Sequence, residues 1–110
     1  YGIYPQYLEV ARVEWLRSLG ISYKELEALG VMLPVVSLQI NYKRPARYDE
    51  LLSITLTLRD RPTSKITFDY QIFNEEKQLL AEANTTLVFV NKETFKPIKF
   101  PDFILEKIEL

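Results

Sequence analysis

The chain has 110 residues, 47% of them hydrophobic and 26% charged, with 14 basic against 15 acidic side chains and a net charge of -1. That is the size and balance of one globular domain with a modest core, and it gives no overall field for nucleic acid or an anionic membrane. With no Cys and no His, thiolate nucleophiles, Ser-His-Asp arrangements, Cys/His zinc sites and disulfides are all excluded.

From the N-terminus, Pro5 suits the first turn of a helix, where its missing N–H costs nothing. Tyr4, Leu8, Ala11 and Trp15 recur at helical spacing, joined by Leu16 and Leu19, and predict an amphipathic helix ending at Gly20. Glu9, Arg12, Glu14 and Arg17 fall mostly off that stripe. Ser22 and Glu25 have the spacing of a capping box, and Ile21 and Leu26 that of a hydrophobic staple, so a second short helix runs from Ser22 to Gly30.

After Gly30 the period changes to two. Val36, Leu38, Ile40 and Tyr42 alternate with polar residues, as do Leu52 to Leu58 and Ile66 to Ile72; a fourth run extends from Leu79 to Val90 with Ala81, Ala83, Leu87 and Phe89 on one face. Each reads as a strand with one face buried. The linkers Lys43–Glu50, Asp60–Ser64 and Asn74–Lys77 carry turn residues, and Pro101 precedes a short helix in the tail. A helix followed by an antiparallel meander is an α+β layout, with a long helix laid on one sheet. No apolar run reaches the ~20 residues of a membrane span, and the absence of Cys fits a cytoplasmic protein.

Several side chains carry chemistry. Glu9 is a candidate general base, although Glu9–Arg12 and Glu14–Arg17 also have the spacing of ion pairs on a solvated helix face. The tyrosine-rich helix start, with Tyr1, Tyr4 and Tyr7, offers backbone N–H groups to an oxyanion, while its rings suit a core or an interface. Two basic groups, Lys43, Arg44 and Arg47, and Arg59, Arg61 and Lys65, with Thr63 and Ser64 beside the second, suit a phosphorylated ligand or soluble turns. Alternating Phe and Tyr on the strands lie on the core face and are not read as nucleic-acid platforms.

Taken in order, Tyr1-Gly2-Ile3-Tyr4 followed by Glu9-Val10-Ala11-Arg12-Val13-Glu14-Trp15-Leu16-Arg17-Ser18-Leu19-Gly20 resembles the first-helix signature of hotdog-fold acyl-CoA thioesterases, in the 4-hydroxybenzoyl-CoA thioesterase branch. Tyr42-Lys43-Arg44-Pro45-Ala46-Arg47-Tyr48-Asp49 is similar to that family's strand-crossing loop, and Ile66 to Ile72, Leu80 to Ala83 and Lys96-Pro97 continue the likeness over essentially the whole chain.

The resemblance implies a single hotdog domain over residues 1–110, its long helix wrapped by a curved antiparallel sheet. It also implies a homodimer that pairs into a dimer of dimers, active sites at the dimer interface, and hydrolysis of an acyl-CoA thioester to free acid and coenzyme A. Coenzyme A is then part of the substrate, and no cofactor, metal, nucleic acid or membrane is expected. By the same resemblance the Tyr1 backbone N–H polarises the thioester carbonyl. The catalytic Asp and the first strand are expected upstream of Tyr1, so residues 1–110 would be an N-terminally incomplete domain. Arg61, Thr63, Ser64 and Lys65 face the coenzyme phosphates, with Lys65 where a Ser is common. Tyr4, Leu33, Pro34 and Val35 line the substrate, the apolar Leu33-Pro34-Val35 stretch favouring aliphatic acyl groups. The rival implied functions are a non-catalytic hotdog module that binds acyl-CoA or an acyl-carrier protein, and a hotdog dehydratase, disfavoured because such enzymes use an Asp–His pair.

Overall fold

The computed structural model describes residues 4–45 and 50–108. Helix α1 spans Tyr4–Ser18 and α2 spans Tyr23–Ala28; β1 (Val31–Met32), β2 (Val35–Tyr42), β3 (Ser53–Leu58), β4 (Lys65–Phe73), β5 (Leu79–Val88), β6 (Val90–Asn91) and α3 (Asp102–Leu105) follow. Four strands form an antiparallel sheet in the order β2-β5-β4-β3, and β1 pairs with β6 in a separate two-stranded ribbon. Helix α1 lies on one side of the four-stranded sheet, the α+β layout that the periodicity predicts.

Local chemistry fixes the helix ends. Gly20 and Gly30, each two residues past the end of α1 and α2, adopt φ of +77° and +82°, a conformation that a side chain would strain. The Glu25 backbone N–H donates to Ser22 Oγ at 3.1 Å, the N-cap predicted for α2; such a cap contributes about 1 kcal/mol. Ile21 and Leu26 are both buried, as the staple requires.

The core is the helix side of β4 and β5. Ile66, Phe68, Tyr70 and Ile72 are buried on β4, and Ala81, Ala83, Thr85 and Leu87 on β5, against Tyr4, Leu8 and Leu16 of α1. The alternation predicted for β4 is therefore met. Three contacts fix the path of α1 across the sheet. Tyr4 stacks on Tyr42 of β2, Arg12 reaches Tyr70 of β4, and Trp15 meets Phe68 of β4 edge-on with centroids 5.0 Å apart.

Two expectations are corrected. Arg12 is buried, 7% exposed, at the i, i+4 positions shared by Tyr4, Leu8 and Leu16, so the stripe has a cation at its centre and no Glu9–Arg12 ion pair forms. Glu14 and Arg17 do pair, at 2.8 Å. Strand β2 does not bury its apolar face: Val36, Leu38 and Tyr42 are exposed and Ile40 only half-buried. Leu38 and Ile40 pair with Thr85 and Ala83 and so share the core side. As the outermost strand, β2 lies beyond the reach of the chain's own helix over most of its length.

The other side of the sheet is a polar ladder. Gln39 faces Asn84, which faces Asp69, which faces Thr57 across the four strands. Asn84 Nδ2 donates to Gln39 at 3.3 Å, and Arg59 Nε donates to Asp69 at 2.9 Å.

Candidate active site

Of the predicted site residues, Tyr1 lies outside the described residues, as do Arg47, Tyr48 and Asp49 of the crossing loop. Tyr4 is buried at the start of α1, its ring 5.5 Å from that of Tyr42 and 17° from parallel. This stacking sets the helix start against the C-terminal end of β2. Glu9 is exposed, with no ion pair or hydrogen bond among the described residues, and lines none of the clefts described here.

At the other end of β2, Leu33 and Pro34 are half-buried and Val35 is exposed. Val35 pairs with Leu87 of β5, while Lys65 pairs with Val88 on the opposite side of the same strand. The Val88 N–H donates to the Pro34 carbonyl at 3.1 Å and the Phe89 N–H to the Ser64 carbonyl at 2.9 Å. The end of β5 thus unites two segments that are thirty residues apart in sequence, Leu33–Val35 and Thr63–Lys65.

Beside them opens a cleft of about 800 Å³. Arg61, Pro62, Thr63 and Ser64 form one wall, and Pro97, Ile98, Lys99, Phe100, Asp102 and Leu105 the other. The walls are fastened by the Phe100 N–H donating to the Thr63 carbonyl at 2.8 Å and by Phe89 and Phe100 meeting edge-on with centroids 4.2 Å apart. Arg61 has no ion-pair partner among the described residues, and Lys99 Nζ lies 3.4 Å from Asp102 in an exposed pair. Such a cleft, with Arg61, two hydroxyls and a Lys99 that shares its charge with the Asp102 carboxylate, can hold a phosphorylated ligand beside apolar side chains. Lys65 does not line it; it is exposed at the start of β4.

Lys99 was invisible to sequence reasoning, since it belongs to no motif and shares a cleft with Arg61 only because the tail folds back along β6 and the β3–β4 turn.

A second groove, of about 540 Å³, runs between α1 and the β3 edge, lined by Tyr7, Val10, Ala11, Trp15, Leu52, Ile54 and Leu56 with Glu14 and Ser18 at its rim. It is apolar and open. Among the described residues, strand β3 pairs on one side only, with β4. Among the described residues no helix is long and apolar enough to cross a membrane.

Comparison with known proteins gives a consistent result. The profile of the Thioesterase-like superfamily matches residues 2–108. Long-chain acyl-CoA thioesterase FadM of Escherichia coli is 32% identical over 107 residues, 96% of this chain and 80% of that protein. Acyl-CoA thioester hydrolase YbgC of Escherichia coli is 31% identical over 106 residues, 96% of this chain and 79% of that protein. The crystal structure of a DHNA-CoA thioesterase from Staphylococcus aureus superposes with a TM-score of 0.84 at 34% identity, covering 94% of this chain and 72% of that one.

Proposed function

Because the chain belongs to the Thioesterase-like superfamily, we propose that it hydrolyses an acyl-CoA thioester, releasing the free acid and coenzyme A. The observation that carries this reading in structural terms is the separation of the two halves of the site. The helix start lies against Tyr42, and the cleft that we assign to the phosphates lies beyond Val35, at opposite ends of β2. Eight residues of strand rising about 3.3 Å each keep the halves roughly 23 Å apart in one protomer.

Antiparallel pairing of β2 with its copy about a two-fold axis resolves this separation. It sets the Val35 end of one protomer beside Tyr42 of the partner subunit, so that each composite site takes its helix start from one chain and its cleft from the other. The same pairing satisfies the free edge of β2 and covers Leu38 and Ile40. A dimer of such dimers is the larger assembly we propose, since Tyr7 and Val10 remain exposed on α1.

In this site the backbone N–H at Tyr1 polarises the thioester carbonyl, a kind of donor whose removal costs roughly 3–4 kcal/mol. A carboxylate preceding it attacks or activates water. Arg61, Thr63 and Ser64, with Lys99 on the opposite wall, hold the coenzyme phosphates. Leu33, Pro34 and Val35 present an aliphatic lining that suits an aliphatic acyl chain. The reaction needs no cofactor, the coenzyme being half of the substrate, and a chain without cysteine is at home in the reducing cytoplasm.

The test is release of free thiol from a series of acyl-CoA esters, followed with a thiol reagent. The protein has no cysteine to contribute a background. Thiol release proportional to protein supports hydrolysis. Saturable binding of acyl-CoA without thiol release would make it a non-catalytic binding module instead.

A further inference from the structure

The centre of the α1–sheet contact is polar, and its geometry is unusual. Arg12 Nη1 donates to Tyr70 Oη at 3.2 Å, and Tyr70 Oη lies 2.6 Å from Thr85 Oγ1, with Tyr70 and Thr85 each 1% exposed. No carboxylate pairs with Arg12 among the described residues, and its Nε is buried without an acceptor. Tyr23 of α2 is the other hydroxyl beside it: burial pushes that phenol up from its ordinary range, and the Arg12 charge pulls against the shift.

This arrangement is a poor way to stabilise a core. A buried guanidinium loses its hydration and here meets only neutral oxygens, whereas an apolar side chain of similar volume is often neutral or better at such a site. What the guanidinium adds is direction. Apolar contact is non-directional, so it resists a small axial slide of a helix less sharply than a directional hydrogen bond does. A planar donor held by the buried Tyr70 hydroxyl, with Tyr23 beside it, is set more narrowly along the helix axis.

On the reading that the protein is a thioester hydrolase with the helix start in its site, we propose that Arg12 is a positioning residue: through Tyr70 and Thr85 it fixes the axial register of α1 on β4 and β5, and thereby where the helix start meets the thioester carbonyl. Arg12 touches no substrate in this scheme. Misplacing a reacting group by about 1 Å is enough to cost roughly a hundredfold in rate.

The experiment compares the wild type with Arg12→Met, Tyr70→Phe and the double variant, measuring melting temperature, amide hydrogen exchange, kcat and KM. In Arg12→Met the amides of α1 are expected to exchange at least about tenfold faster relative to those of β4 and β5, a selective opening that a general loss of stability would not give. The kcat should fall at least about tenfold with KM within about twofold, because the loss is in alignment and not in binding. The double variant should be no worse than Arg12→Met alone, since both changes break one link. If Arg12→Met fails to fold, Tyr70→Phe, which removes a single oxygen, carries the same two readouts. Unchanged relative exchange of α1 together with kcat within about twofold of wild type would overturn the proposal. A wild type that hydrolyses no acyl-CoA would overturn the hydrolase reading alone, and the exchange measurement would still decide whether Arg12 pins the helix.

Discussion

Tyr4 at the start of α1 stacks on Tyr42 at the C-terminal end of β2, ring centroids 5.5 Å apart and planes 17° from parallel. The contact fastens the N-terminus of the one long helix to the outermost strand of the sheet. It therefore ties the helix end proposed to face the thioester to the strand proposed to form the dimer. Offset stacking of this kind contributes about 0.5–1.5 kcal/mol beyond the area it buries.

The first prediction concerns that strand. Leu38 sits on the core side of β2 yet is exposed in a single protomer. Leu38→Lys should place a charge in the proposed interface and give a monomer in sedimentation, with thiol release reduced at least about tenfold because each site needs two chains. Gln39→Lys, on the polar side of the same strand, should stay dimeric. A Leu38→Lys protein that remains an active dimer would move the interface elsewhere.

The cleft gives the second. Arg61→Ala and Lys99→Ala should each raise KM for acyl-CoA by about three- to tenfold, less than a buried charge-assisted hydrogen bond contributes, because both side chains are exposed. The kcat should stay within about twofold, since the phosphates are remote from the thioester. With an acyl-pantetheine substrate, which lacks the nucleotide, both variants should match the wild type. An unaltered KM for acyl-CoA would place the nucleotide elsewhere.

Glu9 supplies a third. Exposed and without an ion pair or hydrogen bond among the described residues, it should matter little: Glu9→Gln is expected to keep kcat within about threefold of wild type. Loss of all turnover would identify Glu9 as the working carboxylate in place of one preceding Tyr1.

The fourth is a pH effect on the polar side of the sheet. Hydrogen bonds from Arg59 hold the Asp69 carboxyl below the ordinary aspartate range. A carboxyl depressed on folding contributes stability at pH values above its unfolded pKa and loses that contribution as pH falls through the ordinary value, about 3.9, toward the folded one. Melting temperature should therefore decline with acid in the wild type and decline less steeply below about pH 4 in Asp69→Asn. At neutral pH the substitution should cost little, because the pair is exposed and screened. Identical acid limbs for the two proteins would show that Asp69 is not among the groups that titrate on unfolding.

The amino-acid sequence by itself determined the local structure and the fold. Helical spacing from Tyr4 to Leu19, the Ser22–Glu25 cap, the two glycines that end the helices and the period-two runs are properties of neighbouring residues, and neighbouring residues alone decide them. The Tyr1-to-Gly20 and Tyr42-to-Asp49 motifs likewise carried the family. Tertiary structure decided what depends on residues far apart in the chain. The alternation of Leu38 and Ile40 looks the same in a central strand and in an edge strand, and only the strand order shows that β2 is the edge and that its apolar face is left open. Arg12 reads as a surface charge until Tyr70 and Thr85, fifty-eight and seventy-three residues further on, are brought beneath it. Lys99 belongs to no motif, and it comes to line the same cleft as Arg61 because backbone hydrogen bonds from Phe100 and Ile98 fold the tail against Thr63 and Phe89. A side chain's period reports which face it occupies; what lies opposite that face is set by the packing of distant elements.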